Sequence, residues 1–218
     1  MAQLTIDHSD VPIRLFKSDF LEFFTHISPV AIVALWSPVM LFFLARAFAD
    51  PLIGASPLSV GLGFLIGVLV WTLTEYTVHR FVFHFEPRTP GQEKIIFLFH
   101  GIHHLQPQIK TRLVMPPVVS VPLAFVFYGL FYLIVGELIG RPAWIAPLFS
   151  GFVAGYLIYD LTHYATHHWP MRWGFLKFLK RYHMMHHFKT PEQRFGVSSP
   201  LWDAVFGTLP VEKNSAPQ

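Results

Sequence analysis

The chain has 218 residues, 53% of them hydrophobic and only 13% charged, with a formal net charge of +3. That balance excludes an ordinary soluble domain, in which about 25% of residues are charged. The chain holds no cysteine, which excludes disulfides and thiolate metal sites, so any metal must be held by nitrogen and oxygen.

In chain order, residues 1–27 carry acids and no cleavage signature, and no signal peptide is expected there. Four apolar runs follow, each long enough for the roughly 20 helical residues that cross a bilayer. They extend from Ser28 to Ala49, Leu58 to Val78, Val118 to Ile139, and Trp144 to Ala165. "ADP" closes the first, "SPLS" opens the second, Pro116 and Pro117 open the third, and "GRPAW" separates the last two. Buried soluble helices can imitate such runs, but four of them in so short a chain would leave little polar surface. The prediction is an all-α integral membrane protein with four transmembrane helices and a cytosolic helical cap. It is read as one membrane domain over 1–218: an N-terminal segment 1–27, a helix pair in 28–78, a loop 79–116, a second pair in 117–165, and a tail 166–218.

Orientation follows from the basic residues. Segments 1–27, 79–116 and 163–218 hold 14 of the 16 Lys and Arg residues, leaving Arg46 and Arg141 at the two short turns. By the positive-inside rule both termini and the central loop are predicted to be cytoplasmic.

Histidines concentrate on that same side. "HRFVFHFEPRTPGQEKIIFLFHGIHH" contains His79, His84, His100, His103 and His104; "HYATHH" contains His163, His167 and His168; "HMMHH" contains His183, His186 and His187. On an α-helix, offsets of three and four share a face, so His100, His103 and His104 are expected to converge, as are His183, His186 and His187, and the pair His163 and His167. His79 and His84 stand five apart, roughly 140° around an ideal helix, so they should not serve one ion without a local distortion; side by side they could serve two. Ten ligands exceed the six of an octahedral ion, and two metals fit the count. Interfacial histidines, a pH-sensing cluster or a metal-storage tract are the plainer readings. So many imidazoles gathered at a membrane face are costly, however, unless their nitrogens are satisfied, and a pair of cations does that directly.

Around these ligands, Glu75 lies one turn before His79 and Asp160 three residues before His163. Each carboxylate is expected to accept the outer ring proton of a ligand and fix its tautomer. Tyr159 and Tyr164 are weaker candidates to line the site. In "PMRWGFLKFLKRYH" aromatic and aliphatic residues interleave with Arg172, Lys177, Lys180 and Arg181, the make-up of an interfacial amphipathic helix that suits either a lipid entry gate or simple anchoring. No nucleic-acid recognition motif is present, and the basic balance is explained by cytoplasmic loops.

The segments "HRFVFH", "HGIHH", "RLVMPP", "YDLTHYATHH", "HMMHH" and "FGVSSPLWDAVFGTL", running from about Trp71 to Pro210, resemble the fatty acid 2-hydroxylases of the membrane fatty acid hydroxylase and sterol desaturase superfamily. The resemblance implies a histidine-ligated dimetal centre, di-iron in the working enzyme, that uses dioxygen and two electrons to hydroxylate the carbon beside an acyl carboxyl group. It implies as ligands His79, His84, His100, His103, His104, His163, His167, His183, His186 and His187, and leaves His168 outside the set. Iron suits the chemistry because zinc is redox-inert, although zinc outranks ferrous iron in affinity and is expected in some preparations. Some members carry a fused cytochrome b5 domain. Only about 27 residues precede the first span here, so electrons are expected from a separate cytochrome b5 or a ferredoxin with its reductase. The substrate is expected to be a fatty acid or an acyl lipid such as ceramide, drawn from the bilayer. The alternatives are a sterol or carotenoid oxidase of the same superfamily and a non-enzymatic metal-transport or storage protein.

Overall fold

The computed structural model describes residues 6–210, and among these there are helices and no strands. A short helix α1 (Asp19–Phe23) precedes α2 (Pro29–Ala49) and α3 (Pro57–Val78), which continues through a π-helical turn over His79–Phe83. Next come α4 (Pro90–Ile96), a second π turn (Phe97–Gly101) and α5 (Ile102–Leu105). Helix α6 (Pro117–Phe131) ends in a third π segment, Tyr132–Leu138, and α7 (Ile145–His168), α8 (Gly174–Phe188) and α9 (Leu201–Val205) follow.

The long helices start where the sequence offers a cap and a proline. Ser28 and Ser56 present their hydroxyl oxygens to the backbone N–H of Ala31 and Ser59, and Pro29 and Pro57 occupy the first turn, where a missing N–H costs nothing. Four helical stretches are long and apolar enough to cross a membrane: Pro29–Ala49, Pro57–Phe83, Lys110–Leu138 and Pro142–His168. They fall on the four predicted runs, with the second and fourth extended by about one helical turn into the histidine patches.

Helix α7 is the hub. It packs most extensively against α3 and then α2, and it is buried along most of its length, whereas α6 lies largely exposed on the flank. Glycines allow the closest approach. A Cβ on Gly151 would stand 1.9 Å from the Phe64 carbonyl oxygen, and one on Gly67 would stand 2.0 Å from that of Leu148, so only hydrogen fits where α3 and α7 cross. Around the crossing, Trp71 meets Phe152 and Tyr156 with ring centroids 5.0 and 5.2 Å apart in edge-on contacts. This rigid α3–α7 pair delivers two histidine-bearing helix ends to one side of the bundle.

The N-terminal segment is strapped across that same end. Asp7 N donates to Leu105 O (2.9 Å), Ile13 N to Gln106 Oε1 (2.9 Å), and Ile27 N to Thr111 O (2.8 Å). Arg112, its side chain almost fully buried, reaches Glu22 Oε1 at 2.5 Å and also donates to the Ile13 carbonyl.

Candidate metal centre

Ten of the clustered histidines meet at this end of the bundle in two groups of five. In one, His79, His84, His100, His104 and His186 each place a ring nitrogen within 4.8 Å of the other four; in the second, His103, His163, His167, His183 and His187 do the same. The groups share a plan. Each consists of two side-chain pairs from two helices and one histidine from a third. His100 and His104 enter the first group and His103 the second, while His183 and His187 enter the second and His186 the first.

This corrects the expected convergence of each triplet. Offsets of three and four lie on opposite sides of the starting residue, about 60° one way and 40° the other, so two ions beside the same helix draw them apart. The pair His79 and His84 departs from the alternative in which each serves a different ion. The backbone over His79–Phe83 is a π turn, and His84 N donates to His79 O at 3.1 Å, so five residues make one turn and both rings face the first group.

The donor set fits metal ions. His79 Nδ1 lies 2.5 Å from Phe195 O and His186 Nδ1 lies 2.7 Å from Gln193 O. A carbonyl only accepts, so these nitrogens carry the proton and each neutral ring turns a bare lone pair inward at Nε2. The inward nitrogens then stand very close: His79 to His100 at 3.1 Å, His84 to His186 at 3.1 Å, His103 to His163 at 2.9 Å, and His167 to His183 at 3.0 Å. Lone pairs facing one another repel unless a cation lies between them. Metal–nitrogen bonds of about 2.1 Å at right angles put neighbouring nitrogens about 3.0 Å apart.

Burial keeps the rings neutral, as ligation requires. Burial, reinforced by His79, pushes His104 down to about 3. Burial first, and neighbouring imidazoles second, also hold His100, His103, His183, His186 and His187 well below the ordinary histidine value.

The carboxylates act one step further out than expected. Glu75 accepts from Val197 N (2.5 Å), Ser198 N (2.8 Å) and Ser198 Oγ (2.5 Å), and among the described residues it has no hydrogen bond to a histidine ring. Asp160 accepts from Met115 N (3.2 Å) and the Tyr156 hydroxyl (3.0 Å) rather than from His163. What orients His79 and His186 is the tail backbone. Asp203, fully buried, accepts from Phe195 N (2.8 Å) and Gly196 N (2.7 Å), and together with Glu75 fixes the segment whose carbonyls face the rings. Between those two carbonyls Arg194 adopts φ 62°, a left-handed conformation that a non-glycine residue takes at some cost. Sequence reasoning missed Asp203, Gln193 and Phe195. The run "FGVSSPLWD" carried the signal, but a backbone carbonyl has no side-chain identity to read.

Tyr159 stacks on His163, ring centroids 5.8 Å apart, and is nearly buried. Tyr164 instead packs beside His168 at 4.8 Å and belongs to neither group, and His168 is outside both. A cavity of about 410 Å³ is lined by His100 of the first group, His103 and His163 of the second, and Tyr159, while Leu15, Phe16, Leu98, Leu113 and Val119 make much of its wall apolar.

Fold and site together define a class: an all-helical, multi-pass membrane protein with two five-histidine groups, each able to hold a metal ion, at the end of its bundle. The chain belongs to the fatty acid hydroxylase family, whose sequence model matches residues 64–208. It is 39% identical over 203 residues to the dihydroceramide fatty acyl 2-hydroxylase FAH2 of Arabidopsis thaliana, covering 93% of this chain and 82% of that one. It is 36% identical over 220 residues to the fatty acid 2-hydroxylase of Homo sapiens, covering 93% of this chain and 58% of that one. Among solved structures it is similar to full-length scs7p with only the hydroxylase domain visible, at TM-score 0.80 and 35% identity over 92% of this chain and 73% of that one.

Proposed function

We propose that this protein is a membrane monooxygenase that hydroxylates carbon 2 of a fatty acyl chain, either free or within a lipid such as ceramide. The observation that carries the reading is the apolar cavity that passes both histidine groups at His100, His103 and His163. The names of the relatives agree with it. In the reaction one oxygen atom of O2 enters the carbon–hydrogen bond beside the acyl carbonyl, and the other leaves as water with two external electrons and two protons.

Two iron ions, one per histidine group, would supply the oxidising power that an unactivated carbon–hydrogen bond requires and that zinc cannot. The chain's own residues do the rest. Leu15, Phe16, Leu113 and Val119 grip the acyl chain and exclude water. Asp160 holds the Met115 backbone, and with it the wall formed by Met115 and Pro116, against α7. Phe195 O and Gln193 O keep the Nδ1 protons of His79 and His186 in place, so that Nε2 stays available. The distribution of Lys and Arg in the sequence supports a cytoplasmic location for all ten site histidines and both termini, where a cytochrome b5, or a ferredoxin with its reductase, would deliver the electrons.

The test is lipid analysis of the iron-loaded protein with oxygen, acyl lipid and either donor system. Chains bearing a 2-hydroxyl with one oxygen atom from labelled O2 are expected, and zinc-loaded protein is expected to be folded but inactive. If iron-loaded protein yields no 2-hydroxy chains with either donor, the reading is wrong.

A further inference from the structure

A second groove, which shares no lining residue with the acyl cavity, lies between the last two turns of α7 and the start of α8. Its volume is about 480 Å³, and Leu161, Ala165, Trp169, Trp173 and Leu176 line it, with Arg172 at its edge. Its position is informative. Leu161 belongs to a span long enough to cross a membrane and is exposed, as is Ile158 one turn before, so the groove continues the lipid-facing flank of α7. Trp169 and Trp173, 61% and 84% exposed, stand just beyond the end of that span, where tryptophans mark the level of lipid headgroups.

The charge around the groove has one sign. No acidic residue occurs between Asp160 and Glu192, while Arg172, Lys177, Lys180 and Arg181 do. Lys180 is occupied, donating to Thr166 O (2.7 Å) and Trp169 O (2.9 Å) at the end of α7. Arg172, Lys177 and Arg181 are exposed and form no ion pair among the described residues. On α8, Lys177 and Arg181 stand four apart and so share a face beside Leu176, just beyond the cap residue Trp173. An apolar channel at membrane depth that ends in unpaired cations at headgroup depth has the shape and charge of one kind of molecule.

We propose that this groove binds an anionic phospholipid of the surrounding bilayer, its acyl chain along Leu161 and Ala165 and its phosphate against Arg172 and Lys177. An acidic protein partner would use the cations equally well. It would leave unused the exposed Trp173, Phe175 and Leu176 interleaved with them, side chains that a bilayer surface buries.

The full metal-loaded chain in nanodiscs of phosphatidylcholine with a minor fraction of phosphatidylglycerol provides the test. Bromine on the acyl chains of one lipid or the other quenches nearby tryptophans, and subtracting the signal of a W169F/W173F variant isolates the two at the groove. Brominated phosphatidylglycerol is expected to quench them more than an equal amount of brominated phosphatidylcholine. The preference should fall about fivefold for each cation removed in R172Q and R172Q/K177Q, the change that corresponds to about 1 kcal/mol per basic residue. It should survive in R172K/K177R, and metal content reports whether each variant has folded. Equal quenching by the two lipids, or a preference unchanged in folded R172Q/K177Q, overturns the proposal, whatever other partner those cations then serve.

Discussion

His167 and His168 show how finely a helix sorts neighbours. His167 Nε2 sits 3.0 Å from His183 Nε2 within the second group. His168, about 100° further round, lies against Tyr164, with its Nε2 buried and without a partner. The helix runs through both and opens only at Trp169, the residue before Pro170, so the proline does not swing His168 inward. His167→Ala is expected to lose the metal of the second group and to abolish hydroxylation, because it removes a ligand and leaves its partners' lone pairs opposed. His168→Ala should keep both metals and most activity. Metal analysis of the two purified variants checks this; equal loss from both would show that the two rings have equivalent roles.

At the scale of the element, the π turn after α3 is what joins His79 to His84. An α-helix through the same residues would set the two rings roughly 140° apart. The turn accommodates one extra residue, so deleting Val82 should restore an α-helical turn in which His84 follows His79 at an offset of four, about 40° round, the spacing of His163 and His167. The second group takes no ligand from this element. Purified protein lacking Val82 is therefore expected still to bind two metals per chain, whereas one alanine inserted after Val82, which sets the two rings six apart and about 120° round an α-helix, is expected to leave one metal, at the second group. Loss of an ion on deleting Val82, or retention of both in the insertion variant, would mean that the π turn does not set the alignment of His79 and His84.

Across the whole molecule, α2 leaves the side where Ile27 meets Thr111, α3 returns to it with His79, α6 departs again, and α7 returns with His163. The far turn contains Gly140 at φ 70°, a conformation that suits glycine there. With the basic residues gathered on the histidine side, accessibility reporters at Gln218 and next to Gly140 are expected to lie on opposite faces of the membrane, the former in the cytoplasm. Reporters on the same face would break the four-span arrangement.

Much of this was legible in the sequence, because its physical causes are local. Apolar run length dictates a spanning helix, a serine before a proline dictates where it starts, and an offset of four dictates that His163 and His167 share a face. The clustering of imidazoles in a chain without cysteine already pointed to two nitrogen-ligated ions. Partition between those ions was not legible, since it depends on where a second helix places its own ligands: His103 leaves His100 and His104 only because His163 and His187 stand on its other side. The roles of Glu75 and Asp160 were misassigned for the same reason. Each carboxylate is within reach of a ligand along the chain, but burial obliges it to satisfy the nearest unpaired backbone N–H groups, and those come from residues 197, 198 and 115. The sequence by itself determined the spans and the clustering of the histidines at the helix ends, both set by patterns within a few residues. Only the tertiary structure decided the grouping of the histidines and the carbonyls that hold the rings, because each requires segments far apart in the chain to meet.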